Sequence, residues 1–395
     1  MPEDTETHIG RRLREIRKRR GLSQRELATA SRVSLSLIRQ LEQGVVEGTR
    51  LQTAHKLATA LRVTTSQLLT RDDQESPESP AEPWRALRLA VESPASEPDE
   101  EPTIAGMRAA LDEVRTAFFA NRMGEVSLLL APLLRDADAL GDTGEGRTIR
   151  AHLLNLAGST LTQARQFSAA ETALTRALDD ANDRLRSASV ITTWTWLLVR
   201  QGRVAEARQL AIRWADEVEP RMSRATADDL AAWGWLLLQV SSASLRDARA
   251  GEAQDAMRLA RSAAVLTGRE LPLGDSRLAT WGPVTVAYKE AERGIVMDRP
   301  DEVLVTAKKL EQARQARATK GGTEYHRHRL DVAQAHTMMR EYGDAVTVLT
   351  EVRQAAPEWL AQQRYAQDIV STIIERRRTL TPDMRSLADA VGLPA

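Results

Sequence analysis

The sequence contains no cysteine, which excludes disulfides, thiolate-ligated metals and thiol catalysis. Aromatic residues make up only 4% of its 395 residues, and none precedes Trp84. A segment without aromatic faces offers unpaired bases nothing to stack on, so the N-terminal part is unsuited to single-stranded nucleic acid. Long apolar runs are missing too. The longest surrounds Trp235 to Val240, far short of the ~20 residues of a membrane span. Residues 11–20 carry seven basic side chains where a secretory leader would place its apolar segment. The expectation is a soluble cytoplasmic protein with no membrane partner, no metal and no cofactor. Net charge is absent as well, with 55 Lys and Arg against 55 Asp and Glu. Evenly spread, that balance would argue against a polyanionic partner.

The charge is not evenly spread. Residues 9–71 hold fourteen basic and four acidic side chains, a balance of +10, whereas residues 72–103 hold two and ten, a balance of −8. The rest is close to neutral. The chain therefore reads as a basic head (1–71), an acidic neck (72–103) and a neutral body (104–395). Six of the fifteen prolines fall in the neck, which has the composition of a flexible linker. Within it, Trp84, Leu87 and Val91 recur at helical spacing, so 83–92 is a candidate docking helix.

The head is punctuated for five short helices. Ile9, Leu13 and Ile16 line one face of the first, and Gly21 ends it. Ser23-x-x-Glu26 is a capping box opening the second, Ser34 caps the third, and Thr49-x-x-Gln52 and Thr64-x-x-Gln67 open two more. The second and third helices have helix-turn-helix spacing, with Ala28 at their close approach and Val33 filling the turn. Leu22-Ser23-Gln24-x-Glu26-Leu27-Ala28, Val33-Ser34-x-Ser36-x-Ile38, Leu41-Glu42-x-Gly44 and Leu57-Ala58-x-Ala60-Leu61-x-Val63 closely resemble the Cro/repressor-like (XRE) DNA-binding family. The resemblance implies that the third helix enters the major groove of double-stranded operator DNA. Leu35, Ser36, Arg39, Gln40 and Gln43 would then face bases or adjacent phosphates. Arg39 is suited to guanine, while Gln24, Arg32 and Arg50 would hold the backbone. The sequence departs from the family in two places. Arg32 stands where glycine is usual, and Val45-Val46-Glu47-Gly48 is a residue longer and less basic than the usual loop.

From 104 onward, apolar residues recur at helical spacing, and a two-helix unit repeats around Val126, Ala170, Ala207, Ala256, Val303 and Ala345, at separations of 44, 37, 49, 47 and 42 residues. The sets Gly158, Ala170, Ala177 and Gly202, Ala207, with Pro357 after the last copy, resemble tetratricopeptide repeats, although the spacings exceed that family's 34 residues. The expected fold is all-α: a helix-turn-helix head tethered to a TPR-like helical solenoid, closed by helices over 361–395. The first helix of each pair would line the inner surface and present Asn155, Ser159, Thr192, Trp196, Trp235, Tyr288, Glu292 and Arg327 to a ligand.

Catalytic patterns are not evident. Gly141–Gly146 reads as a loop between helices, and His326, His328 and His336 point to different helix faces. The combination of an XRE-type head with a TPR-like body resembles the RRNPP regulators. That resemblance implies a homodimer whose body binds a peptide or small-molecule effector. The rival reading is a TPR adaptor that recruits a protein partner and carries a vestigial head.

Overall fold

The computed structural model describes residues 7–46, 51–61, 63, 68, 82–93, 101–274, 277–312 and 322–393. The described residues form helix after helix. Their one extended pairing is a single bridge between Leu271 and Trp281. Contacts divide the chain into two units: Met1–Ser79 with Arg340–Ala395, and Pro80–Met339. This division differs from the head, neck and body that composition suggests. The final 56 residues group with the head, and the neck helix groups with the hairpins.

In the first unit, α1 (Thr7–Arg19), α2 (Gln24–Ser31), α3 (Leu35–Glu42) and α4 (Leu51–Leu61) enclose a core of Leu13, Ile16, Leu27, Ile38, Leu41, Leu57 and Leu61. The capping box at Ser23 is formed as the sequence indicates, with Glu26 N–H donating to Ser23 Oγ and Ser23 N–H to the Glu26 carboxylate. The capping residues Thr49 and Thr64, and Arg50, lie outside the described residues. The C-terminal helices Tyr342–Ala355, Pro357–Ala361, Arg364–Arg376 and Pro382–Ala390 pack around Trp359, Ile373, Ile374 and Leu387.

The second unit is built from helical hairpins: Ile104–Phe119 with Met123–Asp138, Gly144–Gln163 with Phe167–Asp180, Arg184–Arg200 with Val204–Glu217, Ala227–Arg246 with Ala250–Thr267, and Pro283–Val296 with Pro300–Gln312. The helix Thr323–Met338 follows them. One residue in the left-handed conformation reverses the chain in every hairpin: Asn121, Arg165, Gly202, Ala248 and Asp298 in turn. Arg340 repeats it before Tyr342. The next N–H reaches back over the turn, as in Arg122 to the Ala117 carbonyl (3.0 Å) and Gln166 to Leu161 (2.8 Å), which satisfies carbonyls at the end of the first helix. The sequence anchors fall five residues after these turns, with one correction. The fourth copy is in register at Ala253, not Ala256. Ala253, Ala256, Ala260, Ala263 and Ala264 are all buried on that helix, so small residues mark several registers about equally well.

The neck helix forms as Glu82–Glu92. It buries Trp84, Leu87 and Val91 against Met123–Asp138 and Phe167–Asp180. Arg176 pins its end by donating to the Val91 carbonyl at 2.9 Å and to Asp138 at 2.5 Å. The stack curls far enough for its beginning to meet its end. Arg115 donates to the Gly274 carbonyl at 2.9 Å, and Thr323 donates to Asn121 Oδ1 at 3.0 Å.

Close approach of these helices depends on missing side chains. A Cβ on Gly234 would lie 2.0 Å from the fully buried Trp281 ring, whereas one on Gly251 meets nothing within 4 Å. Gly234→Ala is therefore expected to lower the urea midpoint of the chain by an amount worth about 1–3 kcal/mol. Gly251→Ala is expected to raise it, by up to about 1 kcal/mol, through helix propensity alone.

Candidate functional site

The head positions its third helix through one buried ion pair. Arg17 of α1 grips Glu42 at the end of α3 with two parallel hydrogen bonds, Nε to Oε1 at 2.6 Å and Nη2 to Oε2 at 2.7 Å. The two side chains are only 9% and 2% exposed, so the pair is little screened, and its fork geometry fixes both distance and angle. Arg17 also donates to the Leu22 carbonyl at 2.8 Å, and Gln24 at the start of α2 donates to the same Glu42 carboxylate at 2.8 Å. Three helices are thus referred to one carboxylate. Gly10 completes the arrangement, since a Cβ there would sit 1.8 Å from the Leu41 carbonyl oxygen.

The turn between α2 and α3 passes through Arg32 at φ 54°, ψ 32°. An arginine in the left-handed region costs about 1 kcal/mol relative to glycine. The cap at Ser34, which accepts from Leu37 N–H at 3.2 Å, and the back-bond from Ser31 to Leu27 hold the turn. On α3, Ser36, Arg39, Gln40 and Gln43 are exposed and Leu35 is half-buried, while Ile38 and Leu41 point into the core. The side chains that the sequence assigns to base contact therefore share the outward face of a rigidly held helix. Gln24 keeps one amide hydrogen for a phosphate after its bond to Glu42. Arg32 is exposed, and Arg50 lies outside the described residues.

In the hairpin unit, the residues expected to meet a ligand fall into two groups. Asn155, Ser159 and Thr192 belong to the first. Asn155 is buried and donates to Ser189 Oγ at 3.1 Å, Ser159 is buried, and Thr192 returns its hydroxyl to the Ala188 carbonyl at 2.8 Å. Trp196, Trp235, Tyr288, Glu292 and Arg327 form the second, drawn together from four first-of-pair helices. The Arg327 guanidinium lies over the Trp196 ring at 4.4 Å, and the Lys289 ammonium lies 5.7 Å from the Trp235 ring. Trp235 donates to the Thr280 carbonyl at 2.9 Å, and Tyr288 stacks on His328 with ring centres 4.7 Å apart.

Between the indoles runs a ladder of alternating charge. Arg246 pairs with Glu292 at 2.8 Å, Glu292 with Lys289 at 3.2 Å, Lys289 with Glu324 at 2.9 Å, and Glu324 with Arg327 at 3.8 Å. Lys289, Glu292 and Glu324 are 17%, 26% and 16% exposed, so they are recessed yet reachable. Burial alone would push Glu292 up, but Lys289 and Arg246 outweigh it and hold the carboxyl well below the usual range. Glu324 is likewise kept ionised against burial by Lys289 and Arg327. The ladder has cations at both ends and one positive charge in excess. Sequence reading missed Arg246, Lys289 and Glu324. The i,i+3 pairs Lys289/Glu292 and Glu324/Arg327 are visible in the sequence, but their alignment across helices depends on the curl of the stack.

A family model described as helix-turn-helix matches residues 13–68. Neither the curated proteins nor the solved structures offer a match to the chain. The head is thus an XRE-type helix-turn-helix, the DNA-binding module of transcription regulators, within an all-α chain. No helix of the described residues is long and apolar enough to cross a membrane.

Burial beside Tyr288, reinforced by Arg329, lowers the His328 imidazole to about 3 from its ordinary 6.5. A depressed folded-state value means that its contribution to stability is present above pH 6.5 and is lost as pH falls towards 3. Between pH 7 and pH 5 that loss amounts to about 2 kcal/mol. His328→Phe, which keeps a ring against Tyr288, is expected to unfold with correspondingly weaker acid sensitivity across this interval when thermal or urea melts are compared at the two pH values.

Proposed function

We propose that this protein is a sequence-specific transcriptional regulator whose TPR-like hairpin body dimerises and binds a peptide or small-molecule signal. The observation carrying the DNA half is the outward face of α3: Ser36, Arg39, Gln40 and Gln43 are exposed on a helix locked by the Arg17–Glu42 pair. Arg39 provides the bidentate donor that guanine O6 and N7 require, and Leu35 provides an apolar contact for a thymine methyl. Gln24, Arg32 and Arg50 hold the phosphates on either side.

Support for the sensing half comes from the inner face of the hairpins. The partly exposed Trp196 and Tyr325 cluster on successive helices with a ladder carrying one surplus positive charge, over the buried rings of Trp235 and Tyr288. Such a surface suits an anionic or mixed-polarity ligand with apolar parts. Occupation of Arg327 would draw it off Trp196 and alter the curl of the stack. In a homodimer of RRNPP-like architecture that change resets the separation of two heads, which must match half-sites about one helical turn apart.

The test for DNA recognition is Arg39→Ala in the full chain. The variant is expected to bind a duplex selected by the wild-type chain about 10- to 100-fold more weakly at ~150 mM salt, with its guanine preference relaxed at one position. Unchanged affinity would favour the adaptor reading instead. Native mass spectrometry of the purified chain reads the protomer count and any retained ligand, with a dimer expected.

A further inference from the structure

The ammonium of Lys18, on α1, donates to the carbonyls of Ile374 and Glu375 at 2.8 and 3.4 Å. These carbonyls lie at the C-terminal end of the Arg364–Arg376 helix, where Ile374 accepts only a long 3.4 Å bond from the Arg377 N–H, so a cation is a natural cap. Burial, with repulsion from Arg14 and Arg17, lowers Lys18 to about 8. The contact brings another set of charges to the head. Arg376 closes the helix, Arg377 follows in extended backbone at φ −102°, ψ 136°, and Arg378 comes next. All three are exposed. One arginine in the last turn complements the helix dipole, but two more beyond the end have no such role.

A cavity of about 440 Å³ opens where this helix end meets the head, with Arg11, Arg14, Lys18, Gln43, Gly44 and Arg376 among its lining residues. Three carboxylates line it too: Glu42 is already occupied by Arg17 and Gln24, Glu15 lies 3.9 Å from Arg19, and Glu375 acts on the Lys18 ammonium. Gln43 and Gly44 are the end of the recognition helix. That helix has eight residues and is about 12 Å long, close to the ~12 Å width of the major groove. A helix of that length crossing the groove abuts a phosphate strand at each end. Gln24, read above as a phosphate contact, is bonded to Glu42 at the Gln43–Gly44 end of α3, so on that reading a phosphate strand runs past this end, with the cavity beside it.

We propose that Arg376, Arg377 and Arg378 form a second DNA-backbone site. Together with Arg11 and Arg14 of α1, they hold phosphates of the duplex at the Gln43–Gly44 end of α3. This inference rests on the DNA-binding reading above and extends it to residues far from the helix-turn-helix in sequence. The site supplies backbone charge in a head whose loop after α3 is short of basic residues. It carries no base readout, so it strengthens binding to every sequence alike.

The test compares the full chain with the R376A/R377A/R378A triple variant and with the corresponding triple Lys variant. Each is titrated against a wild-type-selected duplex and an unrelated duplex of equal length between ~50 and ~200 mM salt. The alanine variant is expected to lose about 10-fold or more in affinity for both duplexes at the low-salt end. Its plot of log affinity against log salt should be shallower by about 1 to 3, at about 0.9 per phosphate contact removed. The lysine variant is expected to keep most of the slope. Wild-type slope and affinity in the alanine variant, alongside the Arg39→Ala loss, would overturn the second site and leave the DNA-binding reading standing. A wild-type chain that selects no duplex would overturn both.

Discussion

Reversal of the chain through a single left-handed residue is the constraint on which most of this architecture depends. It occurs at Arg32 between α2 and α3, and it recurs at Asn121, Arg165, Gly202, Ala248, Asp298 and Arg340. At Arg32 and in the five hairpins, the turn ends one helix and starts the next within a few residues, and the second helix packs back on the first. Only Gly202 adopts this conformation at no steric cost. The other positions each give up about 1 kcal/mol, which the packing of alanine-rich faces such as Ala169, Ala170, Ala173 and Ala177 offsets.

The same constraint explains what could be read from the sequence and what could not. Ser23-x-x-Glu26, Ser34 and the apolar face of α3 are local signals, and each corresponds to the predicted cap or buried side chain. The repeat was legible through its small residues, but glycine, the usual mark of such turns, is missing from all but one of the hairpin turns, so register blurred where alanines abound. Trp84, Leu87 and Val91 announced a helix, although composition alone placed it in a linker. The grouping of the last helices with the head had no local signature. It includes the bonds from Lys18 to two carbonyls, and backbone groups leave no trace in side-chain patterning.

Site residues divide along the same line. The outward face of α3 follows from helical periodicity, so Ser36, Arg39, Gln40 and Gln43 were accessible to sequence reasoning. Trp196, Trp235, Tyr288, Glu292 and Arg327 were chosen for their places on first-of-pair helices, which bring them into one cluster with Trp235 and Tyr288 buried. Asn155 and Ser159 were chosen by the same rule but lie one hairpin earlier, and Thr192 lies one turn before Trp196 on the same helix; Asn155 and Thr192 bond to neighbouring protein groups. Periodicity gives the face of a helix, but not how sharply successive helices converge.

The bond from Lys18 to Ile374 spans 356 residues of sequence. During synthesis, the apolar core of the head is complete once Leu68 has emerged, but the carbonyls that receive Lys18 leave the ribosome about 300 residues later. At ~5–20 residues per second, that interval is roughly 15–60 s. Throughout it, the nascent chain carries a folded basic head whose α1 lacks its final contact. The head is therefore made first, yet one of its contacts forms only near the end of synthesis.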